Sequence, residues 1–303
     1  MPPNAHQTQS QPTPESLQQY IQGQLTGKVV LVTGAGRGLG WGVARALALA
    51  GAHVAVTDVV LANITRTVEQ ISQLDKAPGE PMGRVLDTAD RTSMAEAVSA
   101  IMERWGRLDA VVHCAINMPL ARFVDTTQTS FWKQLEVGLG GLVHATQLAL
   151  PHMTDGGHIV TIASGSSLRG YHDESVYCAI KHAQEGLIKS LALEWAHDNV
   201  NVAINSMGPG KLIKPTRLTW DELEALPAET TSAWVDPLLL GGAFVWLLSQ
   251  PPKQFCGLRF DAGPIVDAMA EDGFDFEVTP ERVTLYPDDF KARLAWMESY
   301  TFD

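Results

Sequence analysis

The chain has 303 residues, 45% hydrophobic and 18% charged, and 34 acids against 22 bases leave a formal charge of −12. The apolar fraction suits a globular protein, and the acidic balance argues against nucleic acid or an anionic membrane as main partner, since both need a basic face. No apolar run reaches the roughly 18 residues of a membrane span, the N-terminus lacks a secretory signal, and Cys114, Cys178 and Cys256 form neither a disulfide scaffold nor a zinc ribbon. In chain order, residues 1–25 come first, with no Lys or Arg, one acid and seven glutamines. They are expected to form a flexible extension, with at most a helical turn near Leu17 to Ile21. Residues 28–33 (KVVLVT) read as a strand, followed by glycines and a helix over 39–50. A second strand is expected over 53–57 and a third over 84–86. A helix over 90–104 and a strand over 110–113 come next. Residues 131–153 read as a long helix containing Gly138, Gly140 and Gly141, which should make it irregular or kinked. Then come a strand at 158–162, a helix at 177–197, a strand at 201–206, a helix at 237–249 and a last strand at 258–261.

This alternation implies right-handed crossovers and a parallel sheet covered on both faces, a doubly wound α/β fold. One domain is expected over 26–266. The remainder, 267–303, reads as an acidic C-terminal extension: residues 271–303 carry nine acids and three bases. Within it Phe290, Leu294 and Met297 fall at i, i+4 and i+7, which predicts a short amphipathic helix packed on the domain or on a neighbouring subunit.

Two constellations carry chemistry. The first strand runs into Thr33-Gly34-Ala35-Gly36-Arg37-Gly38-Leu39-Gly40. Glycines between a strand and a helix let backbone approach a pyrophosphate while the helix aims its N–H groups at the anion, the Rossmann-type arrangement. Asp58 closes the second strand, where a carboxylate can accept hydrogen bonds from an adenosine ribose and would repel a 2′-phosphate; an Asp that only opens a turn is the plainer alternative. The second constellation is Ser164 with Tyr177-Cys-Ala-Ile-Lys181. Tyr177 and Lys181 lie one helical turn apart on one face. A tyrosine has a pKa of about 10, and a nearby ammonium favours its anion. Ser164 would then hold a carbonyl or hydroxyl oxygen while Tyr177 exchanges its proton.

With these residues in place, the chain resembles the short-chain dehydrogenases/reductases over about residues 27–263. The family's T-G-x-x-x-G-x-G falls on Thr33, Gly34, Gly38 and Gly40, its adenine-side acid on Asp87, and its catalytic Ser, Tyr and Lys on Ser164, Tyr177 and Lys181. Its P-G turn falls on Pro209-Gly210, placing Leu212 toward the nicotinamide carboxamide. Asp261-Ala262-Gly263 resembles its closing D-G-G. The resemblance implies cofactor contacts from Gly34, Arg37, Gly38, Leu39, Gly40, Asp58, Asp87, Cys114, Ala115, Tyr177, Lys181, Pro209, Gly210 and Leu212. It also implies a homotetramer or homodimer paired through the helices at 131–153 and 177–197.

Two positions depart from the family pattern. Its N-N-A-G is here His113-Cys114-Ala115-Ile116, bulkier beside the cofactor ribose. The helix Asn that holds a water next to the catalytic Lys aligns with Gly138, so the relay must use backbone and water or another residue. An Asn placed at 138 is expected to be tolerated, because the family carries one there.

The expectation is a cytoplasmic NAD-dependent oxidoreductase, without metal, acting on a small-molecule secondary alcohol or ketone. Arg37, whose position in this family often accompanies NADP, pulls against Asp58; the carboxylate is expected to win. The alternatives are a scaffold diverted to dehydration, epimerisation or cyclisation, and a protein that binds NAD without turnover. Residues 211–235 are read as the substrate lid. Trp220, Leu223, Leu226 and Trp234 there would suit a bulky apolar substrate. Lys211, Lys214 and Arg217 read either as a solvated loop face or as charge for an anionic substrate or the cofactor phosphates.

Overall fold

The computed structural model describes residues 13–74, 79–213 and 218–300. Seven strands form one parallel sheet in the order β3-β2-β1-β4-β5-β6-β7. They are β1 (Val29–Thr33), β2 (His53–Asp58), β3 (Pro81–Val85), β4 (Ala110–His113), β5 (Gly157–Ile162), β6 (Val202–Gly208) and β7 (Arg259–Asp261). β1, β4 and β6 are buried along their whole length, which explains why they read as continuous apolar runs rather than alternating ones. The third strand starts three residues earlier than the sequence suggests, because Pro81 and Met82 pair with β2 despite the proline. As an edge strand, β3 tolerates the missing N–H.

Helices cover both faces. α1 (Pro14–Ile21), α2 (Gly38–Leu49), α3 (Leu61–Ser72), α4 (Arg91–Trp105), α5 (Gln128–Leu135), α6 (Gly141–Ala149) and α7 (Ser175–His197) occupy the first two thirds of the chain. α8 (Trp220–Glu224), α9 (Ala228–Thr231), α10 (Pro237–Ser249), α11 (Ala262–Asp272), α12 (Pro280–Val283) and α13 (Pro287–Ser299) complete it. One core lies between the sheet and α2, α10 and α11; the other lies between the sheet and α4, α6 and α7. The long helix expected over 131–153 is split, since a π-helical turn at Glu136–Gly140 separates α5 from α6. That is the irregularity its three glycines imply.

Both ends of the chain pack on this body. From residue 13 the expected loose leader is replaced by α1, capped by Thr13, whose Leu17 and Ile21 are buried in the first core. Residues 1–12 lie outside the described residues. At the other end Phe290 is buried and Met297 packs on the second core, while Leu294 is exposed. Arg293 takes the inward place beside Phe290, pairing at 3.0 Å with Glu185 of α7.

The order of the strands reverses across β1 and β4, so crossovers leave the sheet in opposite directions there and open a crevice at the carboxyl ends. The register aligns Thr33 with Thr57 on one side and His113 on the other, and His113 with Thr161. A row of polar residues therefore ends the sheet at this crevice. Among the described residues, no helix is long and apolar enough to cross a membrane, and no group of three or more His, Cys, Asp or Glu is arranged to hold a metal.

Candidate active site

The glycine turn forms as its sequence demands. Gly34 has φ +64°, and a Cβ on it would lie 2.9 Å from the Ala115 backbone; a Cβ on Gly40 would lie 2.2 Å from the Gly34 carbonyl oxygen. Only hydrogen fits at either position. α2 begins at Gly38 with no side-chain cap, leaving its first N–H groups free for an anion. Asp58 closes over the turn: Oδ2 accepts from Gly36 N at 3.2 Å and Oδ1 from Val60 N at 3.0 Å. A glycine cradle that a Cβ would fill, an uncapped helix start and a carboxylate at the end of β2 together fit a dinucleotide.

Other residues expected near the cofactor are placed with more variety. Cys114 packs on Gly40, and burial pushes its thiol up to about 12. Asp87 accepts from Ala89 N at 3.0 Å and pairs with Lys133 of α5 at 3.0 Å, which holds its carboxyl below the usual range against the opposing effect of burial. Leu39 is buried, while Leu212 is 61% exposed and its carbonyl accepts from Val235 N. Gly210, at φ +64°, lies against Asp261 and Gly263. Arg37 donates to the Leu218 carbonyl at 2.9 Å.

The loop read as a substrate lid also reaches the glycine turn. Trp220 donates its indole N–H to Gly36 O at 3.0 Å, stands edge-on to Trp41 at 5.2 Å and lies under the Arg66 guanidinium at 4.4 Å. Arg66 is paired with Glu224 as well. Thus α8 is fastened to the glycine turn by one hydrogen bond in each direction. The charge of Lys211 is taken by Asp267 at 2.6 Å; Lys214 and Arg217 lie outside the described residues.

The second constellation assembles at the same edge of the sheet. Ser164 follows β5, and its side chain shares a hydrogen bond with the Tyr177 hydroxyl. Ser164 Oγ also accepts from Ser166 N, while Ser166 Oγ donates to Glu174 at 2.8 Å, tying the loop that links Ser164 to α7. Lys181 Nζ stands 5.5 Å from the Tyr177 ring centre. Burial dominates both groups. It pushes the Tyr177 phenol up to about 12, against the hydrogen bond from Ser164, and draws the Lys181 ammonium down to about 8, against the opposing charge of Glu185. The net shift of the tyrosine in the protein alone is therefore upward, because desolvation of the phenolate dominates.

Two residues missed in the sequence shape this site, together with His113, which was read only as a departure from the family pattern. Gln184 and Glu185, one turn beyond Lys181, are both buried. Gln184 Oε1 accepts from Lys181 Nζ at 3.0 Å, and Glu185 is held by Ser206 Oγ at 2.8 Å and by Arg293. His113 is buried and kept neutral, with its pKa drawn down to about 4 chiefly by burial, and it links Thr33 to the Gly138 carbonyl. The i+3 spacing from Lys181 to Gln184 is the signal that could have found the first of them.

Gly138 corrects another expectation. Its Cβ would lie 2.8 Å from Ile116 Cδ1 and 2.9 Å from Ile180 Cγ2, so the space an Asn needs is filled by two isoleucines. Gly138→Asn is expected to cost about 1–3 kcal/mol by overpacking, read as a lower denaturant midpoint at unchanged slope. A variant as stable as the parent would show that the two side chains yield.

Such a fold and site define a nucleotide-dependent oxidoreductase architecture. A family model described as enoyl-(acyl carrier protein) reductase matches residues 34–251, and the chain belongs to the short-chain dehydrogenases/reductases. It is 33% identical to an L-fucose dehydrogenase of Bos taurus over 208 residues, covering 68% of this chain and 73% of that protein. It is 33% identical to a 2-dehydro-3-deoxy-D-gluconate 5-dehydrogenase of Bacillus subtilis over 252 residues, 79% of this chain and 95% of that one. Similarity to a (-)-trans-carveol dehydrogenase of Rhodococcus erythropolis is 30% over 273 residues, 79% and 98% of the two chains. A solved structure from Sinorhizobium meliloti 1021, assigned as a short-chain alcohol dehydrogenase, superposes with a TM-score of 0.68 at 28% identity, covering 80% of this chain and 96% of that one.

Proposed function

We propose that the protein is an NAD(H)-dependent oxidoreductase interconverting a secondary alcohol and a ketone. The observation that carries this reading is the convergence of Ser164, Tyr177 and Lys181 beside a glycine turn closed by Asp58. The names of the relatives, which concern sugars, a sugar acid and a cyclic terpene alcohol, support an alcohol carbon as the reacting centre. When bound, the nicotinamide supplies the hydride acceptor or donor. Ser164 orients the substrate oxygen. Tyr177 takes the hydroxyl proton in oxidation and returns it in reduction. Lys181 holds positive charge behind the phenol and faces the ribose. The glycine turn and the start of α2 hold the pyrophosphate. Asp58 accepts from the adenosine ribose, with Leu39, Asp87, Cys114, Ala115, Pro209, Gly210 and Leu212 completing the cofactor's surroundings.

Three free cysteines suit the reducing cytoplasm. A homotetramer or homodimer paired through α5–α6 and α7 is part of the same reading. Binding of NAD without turnover is disfavoured by the intact Ser, Tyr and Lys set.

NAD is preferred because Asp58 closes on the turn, where a carboxylate repels a 2′-phosphate, while Arg37 donates to the Leu218 carbonyl. Absorbance at 340 nm across a panel of secondary alcohols and ketones, with both cofactors, tests the reading. A preference of at least ~10-fold in kcat/KM for NAD(H) is expected, about 1.4 kcal/mol. Asp58→Ala should narrow it. No cofactor turnover with any member of the panel would overturn the activity, and a parent enzyme faster with NADP(H) would overturn the cofactor choice.

A further inference from the structure

A continuous buried chain of hydrogen bonds joins the glycine turn to Lys181. Ala115 N donates to Thr33 Oγ1 at 3.2 Å, and Thr33 Oγ1 lies 3.0 Å from His113 Nδ1. His113 Nε2 lies 3.1 Å from the Gly138 carbonyl oxygen, which can only accept. The imidazole therefore carries its proton on Nε2 and accepts the Thr33 hydroxyl on Nδ1. The same carbonyl accepts a second hydrogen bond, from Gln184 Nε2 at 3.0 Å. The other end of that amide, Oε1, accepts from Lys181 Nζ at 3.0 Å. Both partners of Gln184 have one role each, so the amide has a single orientation, oxygen to the ammonium and nitrogen to the carbonyl.

We propose that Gln184 is the positioning residue of Lys181, a dry amide strut that pins the ammonium to the Gly138 carbonyl. This rests on the reading of Lys181 as the partner of Tyr177. The geometry leaves little alternative. Lys181 has three N–H groups; the Ile162 carbonyl takes one at 2.6 Å and Gln184 takes another. The third is left for the phenol and the cofactor. Ile116 and Ile180 close the space around Gly138, so no side chain can enter there to compete with the amide. The strut also settles the direction of proton movement. An amide oxygen and a peptide carbonyl are too weakly basic to take a proton at neutral pH, so no proton passes from Lys181 toward α5 and α6 by this route.

The charged and titratable groups facing Lys181 are Glu185 on its own helix, Cys114 and His113 at the end of β4, and Tyr177. Cys114 and His113 are neutral near pH 7, since burial raises the one and lowers the other. Gln184 is thus the neutral acceptor whose loss falls directly on the ammonium. Removing an acceptor from the charged form lowers its pKa, and replacing the amide by a carboxylate raises it.

The test follows the lysine Cε signals of the full chain, labelled with 13C at that carbon, through a pH titration without substrate. Lys181 is assigned by the signal lost in Lys181→Arg. Gln184→Leu is expected to lower the Lys181 midpoint by about one unit or more and Gln184→Glu to raise it by a similar amount. Gln184→Met, closer in shape, stands in if the leucine variant does not fold. On any alcohol the parent oxidises, the leucine or methionine variant should lose at least ~10-fold in kcat with little change in NAD binding, and the glutamate variant should recover part of the loss. Midpoints unchanged in the leucine and methionine variants, or moved the same way by glutamate, would overturn the strut. A parent protein that oxidises nothing would overturn the oxidoreductase reading alone, because the titration needs no turnover.

Discussion

Tyr177→Phe is expected to lower kcat at least ~100-fold while leaving NAD binding near the parent value, the scale for loss of a general acid/base. The substitution removes one oxygen from a half-buried side chain beside Ser164 and Lys181, so the fold has little reason to respond. What would be lost is the group proposed to exchange a proton with the substrate oxygen beside Ser164. The pH dependence should change with it. Alcohol oxidation needs the phenolate, so its rate rises with pH toward the tyrosine's pKa; ketone reduction needs the phenol and falls over the same range. In the protein alone burial holds the phenol up to about 12 and the ammonium down to about 8. Rates that climb at neutral pH therefore require the positive charge that oxidised nicotinamide brings. Stopped-flow or steady-state profiles of both enzymes measure this: the parent should slope and Tyr177→Phe should be flat and slow. More than half the parent activity in the variant would remove Tyr177 from the mechanism.

A large loss of stability is expected from a glycine just beyond the turn. Gly42 lies where α2 crosses α10, and a Cβ on it would sit 2.2 Å from the Pro237 carbonyl carbon and 2.3 Å from its oxygen. Those are backbone atoms at the start of a helix buried along nearly its whole length, so no rotamer change can relieve the clash. Gly42→Ala is expected to cost about 3 kcal/mol or more, the upper range for overpacking, and roughly 10 °C in Tm for a domain of this size. Because α2 starts in the glycine turn, one helical turn before Gly42, pushing it off α10 should weaken cofactor binding as well. Gly186 is the control. It lies inside α7 with nothing within 4 Å of its Cβ, so Gly186→Ala should gain about 0.5–1 kcal/mol through helix propensity. Thermal unfolding of the two variants beside the parent decides the matter. Equal effects would show that crossing distance is not what glycine serves at position 42.

Much of this molecule was legible from residue order. Apolar β-branched runs spaced by helical patterns made a parallel sheet the only economical solution, since each strand has two faces to bury and each crossover needs a helix. Local chemistry likewise marked the glycine turn and the pairing of Tyr177 with Lys181, because strand-to-helix geometry and i+4 spacing are properties of adjacent residues. The tertiary structure decided whatever depends on partners remote in sequence. Arg37 was drawn to Leu218, 181 residues away, and Trp220 to Gly36, 184 residues away, so a loop expected over the substrate is fastened to the cofactor turn. Arg293 reached Glu185 under the site from the C-terminal helix. Composition alone marked residues 13–25 as loose, although Leu17 and Ile21 pack there on an apolar surface supplied by α10. Position 138 is the sharpest case. Its sequence neighbours show only a glycine where an asparagine was expected, and it takes Ile116 and Ile180 to exclude the side chain and Gln184 to reach its carbonyl. Steric exclusion and buried hydrogen bonds belong to pairs of atoms brought together by folding, and no periodicity along the chain records them.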